Sequence, residues 1–175
     1  ETDAILIGIG TALADDPELT CRLPGLEARS PARIVLDRML RLPPSSRLVR
    51  SARQVPVLVA ASAEADEARR APLAEVGVGF LATETHEGRV ALPELLEDLA
   101  ARGMATLMVE GGAETARHFL DEGLVDRLAL FSAPVGIGRG GVASPVDPDD
   151  PQAGFSLIRE ARFGDDRYRE YVRRG

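Results

Sequence analysis

The order of apolar and polar positions along the chain predicts buried strands that alternate with helices. Short continuous apolar runs, which are typical of strands buried on both faces of a sheet, begin close to the first residue and recur. This pattern predicts strands at 4–9, 33–37, 55–60, 76–82, 105–109 and 125–132. Helical spacing or helix-favouring composition predicts helices at 63–75, 92–102 and 113–122. The alternation favours an α/β fold, with a mainly parallel sheet flanked by helices.

The last part of the chain follows a different pattern. Two strand-like segments, 155–163 and 167–173, are separated by the turn-forming trio Gly164-Asp165-Asp166, which favours an antiparallel hairpin. An acidic, proline-rich stretch at 145–151 precedes them and predicts an exposed, mobile loop. Since neither an internal repeat nor a linker is visible, we predict a single domain over residues 1–175.

Composition excludes several classes of protein and of site. The net charge of −7 argues against nonspecific binding to nucleic acid or to a membrane surface, and no apolar run is long enough to cross a bilayer. All 21 basic residues are arginine, so a P-loop and Schiff-base chemistry on lysine are excluded. The single cysteine, Cys21, permits no intrachain disulfide, which fits a cytoplasmic protein. With only two histidines besides, we expect no metal site.

The most informative motif is Glu110-Gly111-Gly112, between a predicted strand and a predicted helix. The strand end would place an acidic side chain at the rim of the sheet, and two glycines let the backbone turn and let a ligand come close. The first turn of the next helix offers free N–H groups and a positive dipole end to a phosphate. The motif therefore favours a nucleotide-cofactor site, although a Gly-Gly pair at this place also occurs for packing reasons alone.

A second glycine motif does not fit the dinucleotide-binding fingerprint. Gly8-Ile9-Gly10 follows the first strand, but the third glycine of the fingerprint is replaced by Leu13, and Pro17 arrives too early for a helix of normal length. The loop that follows is richer in chemistry. Arg22 has the forked donors that bind phosphate, whereas Asp15 suits an amide or a ribose hydroxyl.

The same residues resemble the reductase domain of bacterial riboflavin-biosynthesis enzymes. The segment from Asp3 to Arg22, with its Thr-x-x-x-Asp-Asp-Pro-x-Leu-Thr-x-Arg string, looks like the start of that domain. Further matching segments run through nearly the whole chain: Ile34-Val35-Leu36-Asp37, Arg41-Leu42-Pro43, Val109-Glu110-Gly111-Gly112, Gly123-Leu124-Val125-Asp126, Ala133-Pro134 and Gly138.

The resemblance implies both a fold and a reaction. The fold is that of dihydrofolate reductase, a mainly parallel sheet with helices on both faces and a C-terminal antiparallel pair. The reaction is the reduction by NADPH of 5-amino-6-(5-phosphoribosylamino)uracil to 5-amino-6-(5-phosphoribitylamino)uracil, with hydride delivered to C1 of the sugar. The resemblance also implies a homodimer.

It further implies roles for particular residues. Glu110 is the expected catalytic residue and contacts the substrate, together with Leu19 and Arg22. The residues expected to contact NADPH are Thr11, Asp15, Gly112, Ala113, Glu114 and Thr115, to which we add Arg38 on its own chemistry. Glu114 lies in the first helical turn, so its carboxylate has to point away from a bound phosphate.

The chain departs from the family pattern at two places. Arg38 stands where the family usually has serine, and an arginine there could reach the 2′-phosphate of NADPH. The family also has a strand and a helix before residue 4, as well as a deaminase domain, so we expect this chain to lack its N-terminal strand and helix. Two alternative functions stay open: a related reductase acting on a diaminopyrimidinone phosphate or a pterin-like compound, and a non-catalytic nucleotide-binding module.

Overall fold

The computed structural model describes residues 2–86, 88–136, 138–147 and 154–174, which form two compact units that divide after Thr115. In chain order, the elements up to the division are β1 (Ala4–Gly8), α1 (Ile9–Asp15), β2 (Ala32–Leu36), α2 (Arg47–Arg50), β3 (Val57–Ser62), α3 (Glu67–Glu75), β4 (Gly79–Thr83), β5 (Thr85–His86), β6 (Arg89–Val90), α4 (Leu92–Ala101), β7 (Leu107–Val109) and α5 (Ala113–Asp121), which continues into the second unit.

The first unit is built on a parallel sheet. Among the residues described, its strands lie in the order β4-β3-β2-β1-β7, and every pairing is parallel. The apolar β1 is buried along its whole length, because it lies between β2 and β7. Ile7, Val35 and Val59 lie in one apolar cluster with Leu48 of α2 and Leu73 of α3, whereas α4 lies against β4.

The second unit carries an antiparallel sheet. Its strands are β8 (Arg127–Ser132), β9 (Phe155–Phe163) and β10 (Asp166–Arg173), and β10 pairs with both of the others. The turn between β9 and β10 contains Gly164 at a φ of 64°, a conformation that favours glycine. The prediction of a mainly parallel sheet, flanked by helices and followed by a C-terminal antiparallel hairpin, is confirmed.

Several predicted boundaries were wrong. The helix predicted from residue 63 begins only at Glu67, after the N-cap Asp66, whose carboxylate accepts a hydrogen bond from the Ala68 N–H. Pro72 lies inside this helix. The strand predicted from residue 76 begins only at Gly79, because the chain first turns through Gly77 at a φ of 99°.

Some short elements were not predicted, and one predicted loop is partly buried. Helix α2 and the two-residue strands β5 and β6 were not predicted. In the stretch predicted as an exposed loop at 145–151, Val146 is buried in a cluster with Leu120, Phe155 and Tyr171. Residues 148–151 of that stretch lie outside the described residues.

Candidate functional site

Three neighbouring strands deliver the predicted site residues to one edge of the parallel sheet. β7, β1 and β2 lie side by side and run in the same direction, so their carboxyl ends share an edge. Glu110 directly follows β7, Thr11 lies in the helix that directly follows β1, and Arg38 comes just after β2. In open α/β sheets this edge is the usual place for a ligand.

The chain bends sharply between β7 and α5. The Glu110 N–H donates to the Leu6 carbonyl at 2.9 Å, which is the last link between the two strands before the bend. Gly111 and Gly112 then have φ angles of 78° and 76°, in the left-handed region that is strained for residues with a side chain. Helix α5 begins at Ala113, directly after the two glycines.

Two threonine side chains close around this bend. A Cβ atom on Gly112 would lie 3.0 Å from Thr11 Oγ1 and 3.4 Å from Thr115 Oγ1. A Cβ atom on Gly8, at the end of β1, would overlap Thr115 Oγ1. The missing side chains at both glycines are therefore what allows the two hydroxyl groups to lie beside the main chain at the start of α5.

A cavity of about 450 Å³ lies beside Glu110. Leu19 and Arg22, the two other residues expected to contact substrate, line it as well. The side chains of Glu110 and Arg22 are exposed, whereas Leu19 is half-buried and packs against the apolar cluster of the first unit. One carboxylate, one guanidinium and an apolar wall thus share a single cavity. The remaining lining residues are Ile5, Thr20, Cys21, Leu23 and Pro31.

The loop that carries Leu19 and Arg22 has an unusual backbone. Helix α1 ends at Asp15, Asp16 follows with a φ of 40°, and Leu19 has a φ of 52°. Left-handed residues other than glycine are strained and cluster at functional sites, where surrounding contacts hold them in place. Pro17 ends any continuation of the helix, as the sequence predicted.

The other predicted cofactor residues lie around the same edge. Asp15 is the exposed last residue of α1, and Ala113 and Glu114 occupy the first turn of α5. Arg38 is exposed, and it follows the buried Asp37.

Asp37 holds the chain segment that follows β2. Its Oδ2 accepts a hydrogen bond of 2.7 Å from the Leu42 N–H, and its Oδ1 lies 3.9 Å from the Arg41 Nε. Burial raises the pKa of the Asp37 carboxyl above its ordinary value, despite the opposing hydrogen bond from Leu42. This buried carboxylate therefore fixes the turn on which Arg38 lies.

Sequence reasoning missed part of this site. Gly8 was considered only for a dinucleotide fingerprint, whereas its lack of a side chain lets the end of β1 lie close to Thr115 in the first turn of α5. Cys21 was considered for a disulfide and a metal site, and it proves to line the cavity. Residues 20–23 carry no sequence signal for this, because the loop is irregular and has no periodic pattern.

Two kinds of feature are absent from the described parts of the chain. They contain no group of three or more His, Cys, Asp or Glu side chains suited to hold a metal ion. Within the same residues, no helix has the length and apolar character required to cross a membrane.

Comparisons with known proteins agree on one family. The family profile of the RibD C-terminal domain matches residues 1–167. The 2,5-diamino-6-ribosylamino-4(3H)-pyrimidinone 5′-phosphate reductase of Methanothermobacter thermautotrophicus is 35% identical over 181 residues, which cover 100% of this chain and 82% of that protein. The riboflavin biosynthesis protein RibD of Bacillus amyloliquefaciens is 35% identical over 134 residues, which cover 77% of this chain and 35% of that protein.

A solved structure agrees with both. It is the diaminohydroxyphosphoribosylaminopyrimidine deaminase/5-amino-6-(5-phosphoribosylamino)uracil reductase of Thermotoga maritima, which is similar to this chain with a TM-score of 0.73 and 25% identity. The match covers 99% of this chain and 46% of that one, so the chain spans less than half of the Thermotoga protein and about a third of the Bacillus RibD. The profile, the relatives and the fold lead to one conclusion: this chain belongs to the RibD C-terminal domain family, with a dihydrofolate reductase-like fold.

Proposed function

We propose that this chain is an NADPH-dependent reductase that converts 5-amino-6-(5-phosphoribosylamino)uracil to its ribitylamino product. The observation that carries the proposal is the shared cavity of Glu110 and Arg22, next to a glycine bend that opens a helix. An acid and a guanidinium in one cavity suit a substrate that combines a polar heterocycle with a phosphate. Membership of a family that includes named reductases supports the same class of reaction.

A nicotinamide dinucleotide fits the residues around the bend. The first N–H groups of α5 have no partner within the helix, and the positive end of its dipole favours phosphate. Because Gly112 has no side chain, the hydroxyls of Thr11 and Thr115 lie close to its main chain and add donors. We assign phosphate binding to Gly112, Ala113 and Thr115, with the Glu114 carboxylate turned away.

Two further residues complete the proposed cofactor site. Asp15, at the end of α1, would accept a hydrogen bond from a ribose hydroxyl. Arg38 would hold the 2′-phosphate with its forked N–H donors, which gives a physical reason for a preference for NADPH over NADH. When bound, the cofactor supplies the hydride, while the protein supplies binding, orientation and local electrostatics.

The substrate roles follow from the chemistry of the cavity. Arg22 binds the phosphate, and the apolar Leu19 contacts the flat pyrimidine ring. The Glu110 carboxylate accepts hydrogen bonds from the pyrimidine or from the opened sugar, and so holds the reacting carbon in place. In this proposal Glu110 positions and polarises the substrate, and it contributes little to cofactor affinity.

A second substrate is favoured by one specific observation. The Methanothermobacter relative, of which this chain covers 82%, is named as a reductase of a diaminopyrimidinone phosphate. The two substrates differ at one ring position, where one has an oxo group and the other an amino group. The ratio of kcat/KM for the two compounds decides between them, and we expect the aminouracil to be preferred by at least about tenfold.

Replacing Glu110 tests the proposed division of roles. For Glu110→Gln we expect kcat/KM for the aminouracil substrate to fall by roughly 100-fold, because the carboxylate acts on the reacting substrate. The dissociation constant for NADPH, measured by calorimetry, should change less than about threefold, which is under 1 kcal/mol. Glu94→Gln, an exposed acid in the first turn of α4, is the matched control and should change neither quantity.

Three outcomes contradict the proposal. Equal losses of turnover and NADPH affinity in Glu110→Gln would show that Glu110 contacts the cofactor instead. If the wild-type protein does not bind NADPH and does not oxidise it with either pyrimidine substrate, it is not a reductase of this kind. A protein that binds NADPH without turnover of either compound supports the alternative of a non-catalytic nucleotide-binding module.

We also propose a homodimer in the cytoplasm, as the family resemblance implies. Sedimentation velocity over the concentrations used for the activity assay measures the state of association. A dimer mass throughout is the expected result, and a monomer mass at all concentrations would contradict it.

A further inference from the structure

Arg33 is a charged residue inside the apolar strand β2. Its side chain is completely buried, at 0% exposure. The register of the sheet pairs Arg33 with Ile5 of β1, and Ile5 lines the cavity that contains Glu110. Paired residues of neighbouring strands point to the same face of a sheet, so Arg33 lies on the cavity's face.

The guanidinium of Arg33 joins three segments of the chain. Nη1 donates to the Glu18 carbonyl at 3.0 Å and to the Ser51 Oγ at 2.7 Å. Nη2 donates to the Ser51 carbonyl at 3.2 Å and to the Val55 carbonyl. The loop after α1 is thereby tied to the turn between α2 and β3.

These contacts meet the loop next to a residue with a strained backbone. Glu18 directly precedes Leu19, which has a φ of 52°, and Leu19 and Arg22 line the same cavity as Glu110. A left-handed conformation at leucine persists only where other contacts over-determine it. A partly buried, charge-assisted hydrogen bond to the adjacent carbonyl is such a contact, and it is stronger than a neutral one.

Burying an arginine costs free energy unless its N–H donors are used. Apolar packing alone therefore does not account for a buried arginine at position 33. Burial lowers the pKa of Arg33, an effect opposed by the Glu18 carboxylate, and the Nε of Arg33 has no hydrogen-bond partner. The carboxylate of Glu18 is engaged elsewhere, in an exposed pair with Arg47 at 2.8 Å. The main-chain carbonyl and the side chain of Glu18 therefore have separate partners, which allows the two contacts to be tested separately.

We propose that Arg33 is a positioning residue, which acts through the Glu18 carbonyl to hold the 16–22 loop in its substrate-binding shape. The positioning of the loop stands on the contacts above, whereas its effect on the substrate rests on the proposed function. Arg33 does not touch the cavity's ligand in this proposal; Leu19 and Arg22 do.

The single cysteine of the chain gives a direct probe of the loop. Cys21 lies on it, is half-buried, and its N–H donates to the Ser30 Oγ at 3.0 Å. The rate at which iodoacetamide alkylates Cys21 under native conditions therefore reports how well the loop is held. Arg33→Lys keeps the charge but loses the forked pair of Nη1 and Nη2 donors. For this variant we expect the alkylation rate to rise about tenfold.

Three further variants separate loop positioning from general destabilisation. Ser51→Ala removes one acceptor of the guanidinium and should raise the alkylation rate about threefold, as expected for one weakened hydrogen bond. Glu18→Gln keeps the main-chain carbonyl that Arg33 contacts but breaks the exposed ion pair with Arg47, and it should leave the rate within about twofold. Leu99→Ala, a core truncation in α4 away from the loop, should lower stability and also leave the rate within about twofold.

A kinetic measurement connects the loop to the substrate. In Arg33→Lys we expect KM for the aminouracil substrate to rise about tenfold and the dissociation constant for NADPH to change less than about twofold. If the wild-type protein does not turn over the aminouracil substrate, the proposed function is wrong. The alkylation rates would still decide the role of Arg33.

The proposal is overturned if Arg33→Lys and Ser51→Ala are folded by circular dichroism and both alkylate at the wild-type rate. It is also overturned if Leu99→Ala raises the rate as much as they do, since the effect would then be general. If Arg33→Lys does not fold, Ser51→Ala decides alone, and an unchanged rate in that variant rejects the proposal.

Discussion

Replacing Gly8 with alanine tests the packing that brings β1, α5 and the glycine bend together. A Cβ atom at this position would overlap Thr115 Oγ1, and it would lie 3.7 Å from Thr115 Cβ, which is an ordinary contact. The backbone of Gly8, at a φ of −78° and a ψ of 155°, suits any residue, so the strain comes from the hydroxyl alone. The perturbation is therefore local and has one identified partner.

The expected magnitude has two parts. Overpacking of this kind typically costs about 1–3 kcal/mol, and alanine is a poorer N-cap than glycine by roughly 0.5 kcal/mol. We expect Gly8→Ala to lower the free energy of unfolding by about 2 kcal/mol, as the sum of these effects. The hydroxyl is also displaced from the main chain of Gly112, so affinity for NADPH should fall as well.

Urea unfolding without ligand, followed by circular dichroism, measures the effect in a double-mutant cycle. Thr115→Ala removes the overlapping hydroxyl, so in Gly8→Ala/Thr115→Ala only the cap effect should remain, with a coupling energy of about 1–2 kcal/mol. Gly10→Ala is the matched control: its Cβ would meet nothing within 4 Å, and alanine in α1 should stabilise by up to about 1 kcal/mol. If the effects of the Gly8 and Thr115 changes on the free energy of unfolding add to within roughly 0.5 kcal/mol, the described packing of Gly8 against Thr115 is wrong.

Two carboxylates should give the stability opposite dependences on pH. Hydrogen bonds from the Thr106 side chain and main chain lower the pKa of Asp3, so its stabilising effect is present above the unfolded value of about 4 and is lost as pH falls through the lowered pKa. Asp3→Asn should therefore flatten the acid side of the profile obtained from urea unfolding, and an unchanged acid limb would contradict this. Burial raises the pKa of Asp37, so its stabilising effect is complete below about pH 4 and is lost as pH rises through the raised pKa. Asp37→Asn keeps an acceptor for the Leu42 N–H and should remove the loss of stability as pH rises. If the free energy of unfolding of this variant still declined with rising pH, our reasoning would be wrong.

The sequence predicts the large elements because their apolar patterns are strong. The unbroken apolar run of β1 requires burial on both faces, and α4 repeats leucine on one helical face, with Pro93 in its first turn. The four-residue helix α2 is too short to show a period; it depends instead on Ser46, whose Oγ accepts from the Val49 N–H at 3.3 Å. Two-residue strands such as β5 and β6 leave no pattern at all.

The site divides in the same way. Glu110-Gly111-Gly112 was visible as a cofactor motif from local chemistry, and Arg22 as a possible phosphate ligand, whereas the role of Leu19 came from the family resemblance. Neither route identified Arg33, because alternation along a strand does not reveal which polar residue is buried, nor which distant carbonyl it reaches. Such a contact joins residues 15 positions apart and depends on tertiary structure.

The central claim is that the glycine bend and the first turn of α5 hold the phosphates of NADPH beside Glu110. Amide chemical shifts, recorded during titration of the protein with NADPH, test it most directly. We predict the largest changes at Gly112, Ala113 and Thr115, and little change at Thr106, at the opposite end of β7. Shifts that leave these three amides unmoved while NADPH binds would contradict the claim.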